Sequence, residues 1–273
     1  MFHQHAFLKS GVILLAVLLA GCSYSTQITS GRDYLAAVQL PPAQAANDID
    51  AQIRAAADVE PTLRFPARIG LARIGRESVP PFGAARFGGE TARVKLMPPS
   101  AEESEAWLKL AKDLGPEFGE FVAVSPLIAA LVSNEPPTGD SLKETMNTIR
   151  VTAARQHLDA VLIYEAEGTA DNRTNPLAIA NLSIIGAFVL PSHNVKAQGI
   201  AQAMLVDVRN AYPYGTIQAE ANDQTLAVQF GNDRVAQDLS KRVAAAAVEN
   251  LTHEARDMMR ELKVKLAALD KKR

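Results

Sequence analysis

The chain has 273 residues, of which 48% are hydrophobic and 21% are charged, a composition typical of a globular protein with one substantial core. Its 28 basic and 30 acidic residues nearly balance, and no long run of Lys or Arg occurs. Binding to nucleic acid needs a basic patch or stripe, so the sequence disfavours it. Cys22 is the only cysteine, and an intrachain disulfide is therefore excluded.

The first 21 residues have the features of a secretory signal peptide. Lys9 precedes an uninterrupted apolar run at residues 11–18, which is too short to cross a bilayer because a spanning helix needs about 20 apolar residues. The run leads into Leu19, Ala20, Gly21 and Cys22. This order resembles the lipobox of bacterial lipoproteins, which implies cleavage before Cys22 and its acylation, for example with palmitate. The alternatives are an ordinary secretory signal with a stray cysteine, or a short membrane anchor.

The lipobox resemblance also implies a location. Each buried methylene of an acyl chain contributes about 0.8 kcal/mol, so two or more chains hold a protein firmly on a membrane. Ser23 follows Cys22, and by analogy with enterobacterial sorting the absence of Asp there favours the outer membrane, with the protein facing the periplasm. Residues 22–46 are polar and contain Pro41-Pro42, so we expect them to form a lipidated tether.

Residues 47–231 are predicted to form an α/β domain. Two capping boxes, Ser100 to Glu103 and Ser141 to Glu144, predict the starts of two helices, and residues 77–99 are predicted to be a loop rich in Gly and Pro. In chain order the patterns predict a helix over 47–59, a strand over 67–74, a helix over 100–114, a strand over 120–124, a helix over 141–157, a strand over 158–167, and paired strands over 195–208 and 215–221.

The C-terminal segment, residues 232–273, is predicted to be one long amphipathic helix. Its apolar residues recur at a spacing of three or four and form one stripe: Val235, Leu239, Val243, Ala247, Leu251, Met258, Leu262, Leu266 and Leu269. Together these elements predict an α/β (α+β) fold. We expect a mixed sheet of about five strands with helices on one side, plus the long C-terminal helix.

Three stretches carry a resemblance to known families: residues 65–70, the passage ARQHLDAVLIYEAEG, and the hairpin AMLVDVRNAYPYGTIQAEA. They resemble the periplasmic domain of the curli secretion-channel lipoproteins and the N-terminal domain of TolB, over about residues 66–222. The resemblance lies in topology and brings no catalytic motif. The stretch PSHNVKAQGIAQAMLVDVRNAYPYGT is also similar to the rhombotarget lipoprotein group.

Residues 139–142 spell Gly-Asp-Ser-Leu, the nucleophile block of a lipase family. In such a hydrolase the serine follows a strand, and an Asp-x-x-His near the C-terminus activates it. Here the motif follows Pro136-Pro137, which is incompatible with a strand interior, and none of His157, His193 or His253 has Asp three residues before it. We therefore interpret Asp140 and Ser141 as a helix cap.

Two further patterns lack the partners that their chemistry needs. His253-Glu254 begins like a zinc-protease motif, but Asp257 stands where the second histidine belongs, so no metal site is predicted. Glu165 and Glu167 share one face of a strand, and solvation at the strand end explains them. The sequence thus predicts no catalytic residue and no cofactor.

Residues 176–191 (PLAIANLSIIGAFVLP) carry no charge, yet they lie where a connection between strands is expected. Exposed apolar surface costs about 25 cal/mol per Å² in water, so the segment needs to be covered. One interpretation is a short helix buried against the sheet or the terminal helix. The other is a membrane or oligomer contact made by Leu177, Ile179, Leu182, Ile184, Ile185, Phe188, Val189 and Leu190. The segment lacks the alternation of a barrel strand, which does not favour a pore.

The sequence favours a membrane-anchored, non-enzymatic lipoprotein that serves as a protein-interaction or accessory factor in envelope assembly or secretion. We expect a protein partner or a homo-oligomer, and the membrane itself as a partner through the acyl chains on Cys22. One alternative is a subunit of an oligomeric curli-type secretion channel. The other is a serine hydrolase that uses Ser141.

Overall fold

The computed structural model describes residues 24–37, 48–77, 93–132, 141–169, 197–222 and 233–271. Within these residues seven strands form one sheet: β1 (Tyr24–Thr26), β2 (Ala67–Glu77), β3 (Arg93–Met97), β4 (Gly119–Ala123), β5 (Ala160–Thr169), β6 (Gln198–Asp207) and β7 (Pro213–Asn222). Six helices accompany them: α1 (Gly31–Ala37), α2 (Asp48–Ala57), α3 (Ala101–Leu114), α4 (Pro126–Val132), α5 (Ser141–Arg155) and α6 (Asp233–Asp270). The mixed α/β class predicted from the sequence is confirmed.

The sheet has the order β1-β7-β6-β5-β2-β3, and β4 pairs with β2 beside β3. The pairs of β2 with β4 and of β2 with β5 are parallel, whereas the other pairs are antiparallel. Parallel neighbours need a crossover connection, and the chain supplies one through α3 and another through α4 and α5. The antiparallel part, β5-β6-β7-β1, forms the half of the sheet under α6.

Helices cover both faces of the sheet, whereas we expected them on one side. Leu162 and Tyr164 of β5 belong to the core beneath α3 and α6, and Val161 and Ile163 belong to a second core beneath α5. The near-continuous apolar run at the start of β5 is the sequence feature that corresponds to this arrangement, because a strand buried on both faces loses the alternation of polar and apolar residues.

The long helix α6 has 38 residues, and at 1.5 Å per residue it spans about 57 Å. Most members of the predicted stripe are buried, from Leu239 through Leu251 to Leu266. The stripe packs across β5, β6 and β7, and α6 also contacts α3. The helix is therefore part of the main core of the domain.

Two glycines allow α6 to lie unusually close to the sheet. Gly168 of β5 and Gly199 of β6 are cross-strand partners, and both face α6. A Cβ atom at Gly168 would overlap the carbonyl oxygen of Ser240, and one at Gly199 would overlap that of Val243. Both obstacles are backbone atoms of a packed helix, which cannot move aside as a flexible side chain can.

Replacement of Gly168 by alanine is expected to lower the free energy of unfolding by at least about 2 kcal/mol, because overpacking displaces the helix. Gly75→Ala is the matched control, since its Cβ would meet the flexible side chain of Met97 at 3.2 Å. The control is expected to cost less than about 1 kcal/mol. Urea unfolding of both variants measures the difference, and equal losses would contradict the close contact between helix and sheet.

Residues 24–37, which we expected to lie in the tether, belong to the folded domain instead. Tyr24, Ser25 and Thr26 pair with Ile217, Thr216 and Gly215 of β7, and α1 follows at Gly31–Ala37. The local sequence pattern does not indicate this strand, because a segment of three residues is too short to show the alternation of polar and apolar side chains that is typical of a strand. Two further elements were not predicted: β3 within the expected loop over residues 77–99, and the helix α4.

Candidate functional site

The residues of the predicted lipidation site, Leu19, Ala20, Gly21 and Cys22, lie outside the described residues. The same holds for the apolar segment 176–191, with Leu177, Ile179, Leu182, Ile184, Ile185, Phe188, Val189 and Leu190. The described residues that flank this segment, Thr169 and Ala197, lie at the end of the sheet where β7 also ends. Because β1 is antiparallel to β7, its first residue, Tyr24, is the residue of β1 that is nearest to that end.

Side-chain contacts fix β1 to α6. The hydroxyl of Thr26 donates to Glu261 Oε1 at 2.7 Å and accepts from Lys265 Nζ at 2.6 Å. Glu261 and Lys265 also form an ion pair one helical turn apart. The hydrogen bonds from Lys265 and Thr26 lower the pKa of Glu261 to about 2. The first described strand is thus attached to the domain through its backbone and through these three side chains.

The residues after β1 are attached at further points. The Gln27 backbone N–H donates to the Tyr214 carbonyl oxygen at 2.9 Å, and the Tyr212 hydroxyl donates to the Thr29 carbonyl oxygen at 2.8 Å. The Ser30 hydroxyl donates to Glu60 Oε1 at 2.7 Å. Residues 24–31 consequently run along the domain as a bound strap.

The lipase-like serine begins a helix, as the sequence predicted. Ser141 is the first residue of α5, and the described element before it is the helix α4 rather than a strand. His157 lies two residues beyond the far end of α5, which has 15 residues and is about 22 Å long. His253 lies on α6, across the sheet from α5, and its Nδ1 is 2.7 Å from Arg256 Nη2. Both of these histidines therefore lie far from the start of α5.

Glu165 and Glu167 do share one face of β5, but solvation does not explain them both. Glu165 is 3% exposed, so it is a buried acid. Glu167 is partly buried, and burial, together with the charge of Glu165, raises its pKa. The pair lies in the C-terminal half of β5.

A cleft of about 380 Å³ opens there, between the start of α3, the end of β5 and the first described turns of α6. Its charged lining residues are balanced in sign: Arg73, Lys241, Arg242, Glu102, Glu103 and Glu167. The polar residues beneath this cleft decide what it can do.

Glu103 is the central polar residue of the cleft floor, and it is 3% exposed. It is the N3 residue of the capping box, and its Oε2 accepts from the Ser100 backbone N–H at 3.1 Å. Arg73 Nε lies 2.9 Å from the same carboxylate, and the Tyr164 hydroxyl donates to it at 3.2 Å. The sequence identified Glu103 as part of a helix cap. Its contacts with Arg73 of β2 and Tyr164 of β5 join residues that are 30 and 61 positions apart in the chain, so no local pattern indicates them.

A second buried polar cluster closes the opposite end of the sheet. Asp207 is 0% exposed and accepts hydrogen bonds from the Thr62 hydroxyl at 2.6 Å, the Tyr214 hydroxyl at 2.8 Å and the Arg209 backbone N–H at 2.8 Å. The Tyr214 hydroxyl accepts in turn from the backbone N–H groups of Thr62 and Leu63. This cluster fastens the segment before β2 to the β6–β7 hairpin.

Buried tyrosines make stability sensitive to alkaline pH. Burial and the charge of Glu60 raise the pKa of Tyr212 to about 12, and burial raises the pKa values of Tyr164 and Tyr214 as well. An unfolded tyrosine loses its proton near pH 10, whereas these three keep it in the folded state. The contribution of these tyrosines to stability is therefore constant below about pH 10. Above it, that contribution falls by about 1.4 kcal/mol per pH unit for each tyrosine, until the pH reaches the folded-state pKa of that tyrosine.

The measurement is the urea midpoint between pH 8 and pH 11.5, with absorbance at 295 nm reporting phenolate in the folded protein. We expect the three buried tyrosines to remain protonated at pH 11. Titration of all five tyrosines of the folded chain near pH 10 would contradict the burial of these rings.

The part of the chain that the structure describes contains neither a metal-binding cluster nor a membrane-spanning helix. No three side chains among its His, Cys, Asp and Glu residues are grouped so that they would hold a metal ion. None of its helices combines the length and the apolar character that crossing a membrane requires.

No protein-family model matches the sequence, and no curated protein does. Among solved structures, the hypothetical protein CT253 from Chlamydia trachomatis is similar, with 13% identity, 73% of this chain and 95% of that chain covered, and a TM-score of 0.24. A likeness at this score supports no statement about function.

Proposed function

We propose that the chain is an outer-membrane lipoprotein that faces the periplasm and serves, without catalysis of its own, as a protein-interaction or accessory factor in envelope assembly or secretion. The observation that carries the proposal is Cys22, the sole cysteine, placed directly after the apolar run and the lipobox-like Leu19-Ala20-Gly21. Acyl chains there would give the protein a membrane address and remove an otherwise free thiol.

The use of the buried polar groups supports a role without catalysis. Glu103 and Asp207 each accept three hydrogen bonds from the protein itself. A general acid or base needs a lone pair or proton directed at the substrate. In these two clusters the carboxylate oxygens of Glu103 and Asp207 accept hydrogen bonds from Arg73, Tyr164, Tyr214 and neighbouring groups. These bonds stabilise the fold.

An exposed apolar surface supports the interaction role. Leu127 and Leu131, one turn apart on α4, are 80% and 72% exposed. Ala129 of the same helix is buried, so α4 packs through one side and presents the two leucines on another. Exposed apolar residues that cluster on one helix face are typical of surfaces that contact another macromolecule.

The anchor is tested by metabolic labelling with an alkyne-tagged fatty acid. The natural chain is expected to take up the label and the Cys22→Ala variant is not. A matched control moves the thiol three positions by combining Cys22→Ala with Ser25→Cys, which keeps one cysteine but destroys the lipobox. Absence of label from the natural chain would refute the proposal.

The interaction role is tested with a photo-crosslinking amino acid placed at Leu131, and at Leu108 as a control. Leu108 is 61% exposed on α3, away from α4. Irradiation of intact cells is expected to give a discrete protein adduct at position 131 and not at 108. Equal diffuse adducts would contradict a specific contact. A ladder of self-adducts together with a closed oligomer in native mass spectrometry would favour the channel subunit instead.

A further inference from the structure

We infer that the β1–β7 edge of the sheet lies against the lipid surface, so the membrane holds the domain in one orientation. The inference rests on the proposed acylation of Cys22 and goes beyond it, because an anchor alone does not orient a protein. What orients this domain is the shortness of the link between the anchor and the first fixed strand.

The link has a strict upper length. Two peptide units separate Cys22 from Tyr24, and a fully extended chain spans at most about 3.6 Å per residue. The Cα atoms of these residues are therefore within about 7 Å of each other, whatever conformation the link adopts. An acylated Cys22 would thus bring Tyr24 to the level of the lipid headgroups.

The strap that starts at Tyr24 cannot readily detach from the domain, so it does not lengthen the link between Cys22 and the first fixed strand. Its backbone pairs with residues 215–217 of β7, and Thr26 bonds to both Glu261 and Lys265 of α6. Gln27 and Thr29 add bonds to the β6–β7 hairpin and the start of β7. Release would break these bonds together, so the domain follows the anchor as a rigid body.

The chemistry of the edge is compatible with a lipid surface. Tyr24, Ser25 and Gln27 on β1 and its extension are uncharged, and so is Thr216 on β7. The charged residues beside them, Glu261 and Lys265, neutralise each other in their ion pair. Glu220, the one charged residue of β7, is partly buried, and burial raises its pKa. The edge therefore carries little net charge toward the headgroups of an anionic membrane.

The inference places the two edges of the sheet at different distances from the membrane. Five strand spacings of about 4.8 Å separate β1 from β4, so the opposite edge is about 24 Å away within the plane of the sheet. Thr216 is exposed and lies opposite Ser25 on the β1 side. Glu117 is exposed and precedes β4 on the far side. These two positions can report the orientation.

The experiment uses the full lipidated chain in vesicles of phosphatidylethanolamine and phosphatidylglycerol. Cysteine is introduced by Thr216→Cys or, as the control, by Glu117→Cys, and the new thiol is labelled with bimane. Nitroxide carried on the lipid headgroups should quench the label at position 216 and leave the label at position 117 unchanged. Asn222→Cys, also exposed on β7, repeats the near position if Thr216→Cys fails to fold.

Equal quenching at positions 216 and 117 would overturn the orientation. A second arm inserts twenty Gly and Ser residues between Ser23 and Tyr24, which lengthens the link to about 25 Å on average. The contrast between the two positions should then disappear, and its persistence would show that something other than the short link orients the domain. Reaction of the parent chain with bimane would reveal a free Cys22 thiol, which overturns the anchor itself and is distinguishable from failure of the orientation alone.

Discussion

Tyr214→Phe is expected to lower the free energy of unfolding by about 3 kcal/mol, because each buried hydrogen-bonding group left without a partner costs about 1–3 kcal/mol. The lost hydroxyl accepts from the Leu63 N–H at 2.7 Å and the Thr62 N–H at 2.9 Å, and it donates to Asp207. Leu63 is 0% exposed, so water cannot replace the lost acceptor there. The phenylalanine ring would still fill the space of the tyrosine ring.

Tyr212→Phe is the matched control for this variant. Both tyrosines are buried, their rings contact each other with centroids 5.0 Å apart, and both substitutions remove one oxygen atom. The Tyr212 hydroxyl, however, makes one bond, to the carbonyl oxygen of the exposed Thr29. Its loss is expected to cost about 1 kcal/mol. Urea unfolding with unchanged m-values measures both. Equal losses would show that Tyr214 does not fasten the segment before β2.

Glu103→Ala is expected to have the second large effect, a loss of about 3–4 kcal/mol, since removal of one partner from a buried ion pair leaves an uncompensated charge. Arg73 would lose its carboxylate at 2.9 Å, Tyr164 its acceptor, and α3 half of its capping box. All three losses occur beneath the cleft between α3, β5 and α6, so the cleft should lose its shape as well.

The neighbouring Glu102 provides the control, because it is fully exposed and hydrogen-bonds only locally, to Ser100. Glu102→Ala is expected to leave the free energy of unfolding nearly unchanged. The double variant Arg73→Met with Glu103→Leu removes both charges, and it should recover the part of the loss that comes from the unpaired charge of Arg73, since apolar replacement of a buried pair is often neutral or stabilising. A double variant as unstable as Glu103→Ala would contradict the ion-pair explanation.

The elements with strong local signals were predictable from the sequence. The capping box at Ser100 fixes the start of α3, and the stripe from Leu239 to Leu266 predicts α6 and its buried face. The strand β5 was also predictable, because its apolar run is long. In each case the signal lies within about one element of the chain and reflects a period or a cap.

The elements that were missed depend on distant partners. The strand β1 has three residues and exists because β7 and α6 bind it, across about 190 and 235 residues of sequence. The strand β3 lies inside a stretch rich in Gly and Pro, and its Val94 and Leu96 pack against the core beneath α5. No local pattern reports such pairing, so the sequence suggested a tether where the structure has a bound strap.

The clusters of the candidate site show the same limit. Asp207 and Thr62 are 145 residues apart, and Glu103 and Tyr164 are 61 residues apart. Each residue alone is an unremarkable polar residue near the end of a strand or helix. Their proximity results from the sheet order, in which β2 lies between β5 on one side and β3 and β4 on the other. The cap at Glu103 has a local signal in the sequence, whereas the ion pair that Glu103 forms with Arg73 has none.

The proposal of a lipid-anchored domain depends first on the chemical state of Cys22, and the mass of one peptide tests it most directly. Trypsin should release residues 22–32 from the protein isolated from its native membrane, since Arg32 is the first basic residue after Cys22. We predict that this peptide begins at Cys22 and carries the added mass of a diacylglyceryl group and an amide-linked acyl chain. A peptide with a free thiol, or one that extends upstream of Cys22, would contradict the account.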